Sequence, residues 1–396
     1  MMGRTEEINV EQSVLDLMKA CEIDTVLTLP CDRMKKLLPL VPQNFREVRL
    51  MREEGGVGIA AGLYMAGKRP ALVVQSTGIG NSLNVLASLS QTYRLPLPIL
   101  ASWRGVYREN IPAQVPWGKC LPGVLDAAGI PYTVADKPED LPEVRRAIGA
   151  AFERNTPYVI LFCPKIWERS TAQETAPVVR QAGRRFDVDW HEAVPAATTT
   201  RFDMIKGIVP YMKGKIVVSN IGVPSKELYA ALDQPTNFYM LGSWGLATPI
   251  GLGLALGRPE REVIVLDGDG SLLFEPNGLG MAAQERPPNL TIVAFDNSAH
   301  GSTGNQPTYS SGMDLGLLAR AYGIQDTAKA ATPEQLLHVL EAGGRGPGKR
   351  GPGERGPGGP GPRFVHVPVL AQNASVPEIP RSPVDIKTAF MAAVRP

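Results

Sequence analysis

Apolar residues in the first part of the chain fall into two spacings. Val10, Val14, Leu17, Met18 and Cys21 recur every three to four positions, which predicts an amphipathic helix. Asp24 to Pro30, Glu47 to Met51, Ala71 to Ser76, Leu95 to Ala101 and Pro157 to Cys163 are short runs that predict strands. Gly58 to Gly67 and Asn81 to Tyr93 read as helices between them. From 168 to 200 the chain is polar and charged without apolar periodicity, the pattern of an interdomain linker. The alternation then restarts. Lys215 to Asn220, Asn237 to Leu241, Glu262 to Asp267, Leu290 to Asp296 and Arg363 to Leu370 predict strands, and Thr332 to Ala342 a helix. Strands alternating with helices predict an α/β fold in two halves, each a parallel sheet with helices on both faces. The boundaries expected are a first domain over 6–167, the linker over 168–200, and a second domain over 201–396.

One segment breaks the pattern. Residues 343–362 read GGRGPGKRGPGERGPGGPGP, with Arg-Gly-Pro-Gly starting at 345, 350 and 355. A period of five is not the three of collagen. The segment has no apolar residue to bury, so a disordered basic surface insertion is expected before the last strand. A tether to nucleic acid or to an anionic surface is the other reading.

Composition narrows the class. The 396 residues contain 43% hydrophobic and 20% charged residues, and 41 Lys and Arg stand against 39 Asp and Glu, a net charge of +2. So small a charge gives nucleic acid no electrostatic hold. No apolar run reaches the ~18 residues that span a bilayer, and the polar start MMGRTEEINVEQ is unlike a secretory signal. The four Cys, at 21, 31, 120 and 163, have no CxxC spacing, and there are four His, which argues against structural zinc or a disulfide framework. A cytoplasmic enzyme or small-molecule binder is expected.

The candidate chemistry centres on the strand Val263–Asp267, which runs into Gly268, Asp269, Gly270 and Ser271. Glycines at a strand-to-helix turn let backbone amides approach a diphosphate. Asp269 offers a hard oxygen ligand to a divalent ion, and Asn297, at the end of the strand Leu290 to Asp296, offers another, with Ala299 as a third. The ends of parallel strands are where open α/β sheets bind ligands. This Gly-Asp-Gly, followed by Asn on the next strand, resembles the fingerprint of enzymes that bind thiamin diphosphate with Mg²⁺.

In that family a glutamate from another domain hydrogen-bonds the coenzyme's aminopyrimidine ring. It opens a helix with small residues and a Gly nine positions on. Counting back from Gly62 selects Glu53, with Glu54 the alternative by a slip of one. The stretch Gln75-Ser76-Thr77-Gly78-Ile79-Gly80-Asn81 resembles a loop of phosphonopyruvate and sulfopyruvate decarboxylases, the two-domain branch of the family, and adds Gly78 and Asn81 to the coenzyme residues. Leu29 to Asp32, Arg104-Gly105, Ile111 to Lys119, Ser219 to Tyr229, His300 to Pro307 and Val376 to Lys387 are similar to sulfopyruvate decarboxylases in particular, with both subunits fused in one chain.

The resemblance implies two thiamin-diphosphate-binding domains, pyrimidine-type then diphosphate-type. It implies non-oxidative decarboxylation of 3-sulfopyruvate to sulfoacetaldehyde, in coenzyme M biosynthesis, with phosphonopyruvate decarboxylase or another 2-oxo acid decarboxylase or carboligase as alternatives. It also implies a homo-oligomer, dimer or tetramer, because glutamate and diphosphate site meet across a subunit interface in the family. No nucleic-acid or membrane partner is expected. Gly242, Ser243 and Trp244 stand where the family has Gly-Ser-Met, a coenzyme-supporting segment, so Trp244 implies different local packing. Asn305 stands where the family usually has Gly. His300 is either a proton donor or substrate contact, or a loop histidine. Arg104 and Lys119, then Arg33 and Cys31, are the candidate substrate contacts, since a sulfonate needs cationic or backbone donors. Two motifs are set aside. Gly251 to Gly257 matches a nicotinamide-binding pattern but follows no strand. Asp267 to Ser271 resembles a phosphatase nucleophile motif, but a full α/β unit precedes it.

Overall fold

The structure is a computed structural model, and it describes residues 8–168, 170–174, 193–343 and 361–396. Most of the expected linker and of the Gly/Pro/Arg-rich stretch lies outside the described residues. The chain divides into two compact units, one of Met1–Tyr64 and Lys68–Arg184, the other of Met65–Gly67 and Arg185–Pro396.

The elements of the first unit are α1 (Val10–Ala20), β1 (Thr25–Thr28), α2 (Val41–Asn44), β2 (Arg46–Arg49), α3 (Glu53–Met65), β3 (Pro70–Gln75), α4 (Ser76–Val85), β4 (Leu97–Ser102), α5 (Val115–Ala127), β5 (Tyr132–Ala135), α6 (Leu141–Arg154) and β6 (Pro157–Phe162). Six parallel strands line up in the order β2-β1-β3-β4-β6-β5. Val26, Val73, Leu100, Ile160 and Phe162 face α1 and α6 in one core. Leu27, Leu72, Val74, Ile99, Val159 and Leu161 alternate to the other face and are buried too. Burial on both faces explains why these strands read as continuous apolar runs.

The second unit contains α7 (Arg201–Gly207), α8 (Val209–Met212), β7 (Ile216–Ser219), α9 (Val223–Ala231), β8 (Asn237–Tyr239), α10 (Ala247–Gly257), β9 (Val263–Gly268), α11 (Asp269–Phe274), α12 (Asn277–Glu285), β10 (Leu290–Asp296), the short pair β11 (Ala299–His300) and β12 (Gln306–Pro307), α13 (Leu315–Tyr322), β13 (Asp326–Lys329), α14 (Pro333–Gly343), β14 (Arg363–Pro368) and α15 (Pro383–Val394). Its six-stranded parallel sheet has the order β13-β14-β10-β9-β7-β8. Helix α10 carries Gly251 to Gly257 and is buried along its whole length against β9. Its glycines serve close packing: a Cβ on Gly251 would stand 2.1 Å from Val265 Cγ2. Among the described residues no helix is long and apolar enough to cross a membrane.

Two expectations shift. The stretch Gln75–Asn81, read as a loop, is the first turns of α4, which starts at Ser76 rather than at Asn81. Helix α3 starts at Glu53, five residues before the expected Gly58. In both, glycines hid the helix from a propensity reading, because close tertiary contacts offset their entropic cost.

Both sheets have a switch point, where connections leave to opposite sides. In the first it lies between β1 and β3, in the second between β7 and β9. Ligands of such sheets sit at the strand carboxyl ends there.

Candidate active site

In the first unit Glu53 opens α3 and is 7% exposed. Its Oε2 accepts a hydrogen bond from Asn81 Nδ2 at 3.1 Å. Gly78 lies against the same carboxylate, for a Cβ there would stand 2.4 Å from Oε1. One turn of α4 therefore both cradles and orients Glu53. Glu54, the alternative, is instead paired with Arg52 at the surface of the same turn.

The switch point of the first sheet holds a polar cluster. Cys31 Sγ lies 3.3 Å from Gln75 Oε1 and receives a hydrogen bond from Ser102 Oγ at 2.9 Å. Arg104, 2% exposed, donates from Nε and Nη2 to Glu109 at 2.7 and 2.9 Å, and from Nη1 to Asp32 at 2.6 Å and Gln75 at 3.1 Å. Arg104 holds the Glu109 carboxyl down to about 2, and Glu109 pushes the guanidinium further above its usual range. Arg104 was expected to meet the substrate's acid group, but its fork is largely taken by these acids. Arg33 is different. It donates to the Arg108 carbonyl at 3.2 Å and lies 3.6 Å from Glu109, while its buried Nε lacks a hydrogen-bond acceptor. Lys119 is exposed on α5, beside Gly118, whose missing side chain lets the helix lie against the Arg104 backbone. Glu109 had no signal in the sequence, and Gln75 and Asp32 stood in family-like segments without a role; strand order brings all three to Arg104.

In the second unit a cavity of about 590 Å³ opens at the switch point. Asn220, Ile221 and Gly222 line it from the end of β7, and Asp267 to Ser271 from the end of β9. Trp244, Asn297, Ala299 and His300 complete the wall that the sequence anticipated. Gly242 and Ser243 stand outside the lining; Ser243, at φ 63°, turns the chain into Trp244. Gly270 is the floor between two rings: a Cβ there would meet His300 Cε1 at 3.1 Å and Trp244 Cζ2 at 3.2 Å. Trp244 stacks obliquely on Phe274, ring centres 4.6 Å apart, and meets His300 edge-on at 5.7 Å. The extra bulk of the Trp is thus taken up sideways, against Phe274.

Asp269 is 3% exposed, and burial pushes its carboxyl up. Thr308 donates to its Oδ2, and Ser310 Oγ lies 3.0 Å from the same oxygen, its one proton shared between Asp269 and Asp296. Ser310 also bonds Asp296 at 2.7 Å, and His366 Nε2 lies 2.9 Å from the same carboxylate. Burial pushes Asp296 up, but the His366 and Ser310 hydrogen bonds outweigh it, and its carboxyl ends below the usual range. Ser298, at φ 53°, bends the loop so that both Asn297 and Ala299 line the cavity with Asp269. The donor set is one buried carboxylate, one amide and backbone carbonyls, all hard oxygens, which fits Mg²⁺ carrying a diphosphate. The glycine floor fits a flat coenzyme. Thr308 and Ser310, which hold Asp269, and His366, which pairs with the neighbouring Asp296, carried no motif in the sequence.

Comparison with known proteins agrees with this geometry. Residues 8–126 match the family described as thiamine pyrophosphate enzyme, N-terminal TPP binding domain, and residues 221–352 match its C-terminal TPP binding domain. The chain is 45% identical over 391 residues to sulfopyruvate decarboxylase of Methanosarcina acetivorans, covering 97% of each. It is 32% identical over 332 residues to phosphonopyruvate decarboxylase of Streptomyces viridochromogenes, covering 80% of this chain and 81% of that one. Sulfopyruvate decarboxylase subunits are also similar: beta of Methanothermobacter thermautotrophicus at 41% over 49% of the chain, alpha of Methanocaldococcus jannaschii at 35% over 39%. The fold is shared with benzoylformate decarboxylase of Polynucleobacter necessarius, at TM-score 0.68 and 15% identity over 93% of this chain and 99% of that one. The chain belongs to the sulfopyruvate decarboxylase family of thiamine pyrophosphate enzymes, in the form that joins both subunits, and it is a thiamin-diphosphate-dependent decarboxylase.

Proposed function

We propose that the enzyme decarboxylates 3-sulfopyruvate to sulfoacetaldehyde and carbon dioxide without oxidation, using Mg²⁺, in the cytoplasm and as a step of coenzyme M biosynthesis. The observation that carries this reading is the 45% identity to a sulfopyruvate decarboxylase across 97% of both chains. When bound, thiamin diphosphate supplies the nucleophilic carbon and the electron sink for loss of carbon dioxide.

The chain's own residues supply position and charge. Glu53 holds or gives a proton at the aminopyrimidine ring, and Asn81 keeps that carboxylate aimed. Gly78 leaves it room. Asp269, Asn297 and the Ala299 carbonyl hold the metal, and Gly268, Gly270 and Ser271 bring backbone close to the diphosphate. Trp244, seated by Gly242 and Ser243, would support the coenzyme from the cavity wall. His300, at the cavity wall beside Trp244, serves as proton donor or substrate contact. Arg33 and Lys119 meet the sulfonate, with Cys31 lining the pocket, and Arg104 holds the Arg33 loop through Glu109. The assembly is a dimer or tetramer.

The test is carbon dioxide release from 3-sulfopyruvate, 3-phosphonopyruvate and pyruvate, side by side, with thiamin diphosphate and Mg²⁺. Release from sulfopyruvate that is lost in Glu53→Gln supports the reading. Release from phosphonopyruvate alone replaces it with the sister activity, which the 32% identity to a phosphonopyruvate decarboxylase favours as second reading.

A further inference from the structure

The cavity of the second unit has a cation that no motif announced. Arg201, the first residue of α7, is the one Lys or Arg among the described residues that line it. Its side chain is 10% exposed. Nε and Nη2 donate to Glu227 at 2.6 and 3.2 Å, and Nη2 also to Asn373 Oδ1 at 3.0 Å. Glu227 is fully buried and closes that side of the guanidinium. Among the described residues Nη1 has no acceptor, so two of the five N–H groups remain for a ligand.

The surroundings say which ligand. Asn220, at the end of β7, stands beside Gly268: a Cβ on that glycine would meet Asn220 Nδ2 at 3.3 Å. The start of the nine-residue helix α9 follows at once, with Gly222 and Val223 on the cavity wall. Amide donors and a helix start thus gather at the Gly268 side, while Arg201, on the same cavity wall, is tied through Asn373 to the loop at Gly301. Trp244 and His300 stand at the Gly270 side. These donors and the guanidinium suit the charged end of the coenzyme.

We infer that Arg201 binds the terminal phosphate of thiamin diphosphate through Nη1, with Glu227 and Asn373 holding the guanidinium in place. This rests on the coenzyme reading above. Asn373 Nδ2 also donates to the Gly301 carbonyl at 2.9 Å, so the same strut secures the loop after His300.

The experiment is calorimetric titration of thiamin diphosphate and of thiamin monophosphate, each with Mg²⁺, into wild type, Arg201→Met with Glu227→Met, and Arg201→Lys. The double variant removes both charges, because a lone buried carboxylate would unfold the site for a trivial reason. It is expected to bind the diphosphate about tenfold more weakly and the monophosphate unchanged, since only the former has the terminal phosphate. A parallel loss of both ligands would show that the pair merely shapes the wall, and it overturns the inference. So does unchanged diphosphate binding with a raised KM for 3-sulfopyruvate, which would make Arg201 a substrate residue. If the double variant does not melt cooperatively, Arg201→Lys decides by the same comparison: selective loss of the diphosphate supports the inference, equal affinities overturn it. Wild type that binds the diphosphate but releases no carbon dioxide from sulfopyruvate would fail the proposed function alone.

Discussion

At the scale of the residue, the best-defined geometry is the contact of Glu53 with Gly78 and Asn81. A methyl group on Gly78 would lie 2.4 Å from Glu53 Oε1 and must displace it. Gly78→Ala should therefore lower kcat about 100-fold, the usual effect of a catalytic group misplaced by an ångström. Its melting temperature should hold or rise, because Ala favours a helix over Gly by about 1 kcal/mol. Equal falls in both would mean that Gly78 serves packing instead. Asp267 and Asp269 make a prediction about pH. Burial pushes both carboxyls above their usual range. The folded state then keeps protons that the unfolded chain has released, so their contribution favours folding at low pH and is lost as pH rises through the folded values. A bound cation favours the ionised form. The gain in melting temperature from Mg²⁺ and thiamin diphosphate should thus grow as pH rises above the ordinary carboxylate range; a gain independent of pH would contradict this.

At the scale of the element, the two glycine-rich helices α4 and α10 do different work. Gly78 of α4 makes room for a functional carboxylate. Gly251 of α10 makes room for Val265 of the neighbouring strand. Gly251→Val overpacks that contact and should cost roughly 2 kcal/mol in urea unfolding, with coenzyme affinity falling only as far as the unit melts. Strand ends matter in the same way. Because β7 and β9 are neighbours across the switch point, Asn220 and Gly268 face one cavity although 48 positions separate them. Because β1, β3 and β4 are consecutive neighbours, Cys31, Gln75 and Ser102 meet.

At the scale of the whole molecule, the chain joins what some of its relatives carry as separate alpha and beta subunits. Sedimentation should give two or four times the 42.6 kDa chain mass, and dilution to monomer should abolish decarboxylation. A fully active monomer would remove the proposed assembly. The sequence by itself determined the two alternating α/β halves, since burial on both faces writes an apolar run into each strand. It also determined Asp269 and Asn297 as candidates, because each sits at a local strand-to-helix or strand-end signal, whereas Glu53 was selected over Glu54 only by the spacing that the family resemblance implies. The short strands β5 and β13 escaped it, having at most one buried position each. Only the tertiary structure decided that Arg104 is taken up by Glu109 and Asp32, that Thr308 and Ser310 hold Asp269, and that Arg201 reaches Asn373 across 172 positions. Periodicity reports how each residue sits in its own element. Which partner fills its hydrogen bonds depends on strand order and register, and those are set by contacts between residues far apart in the chain.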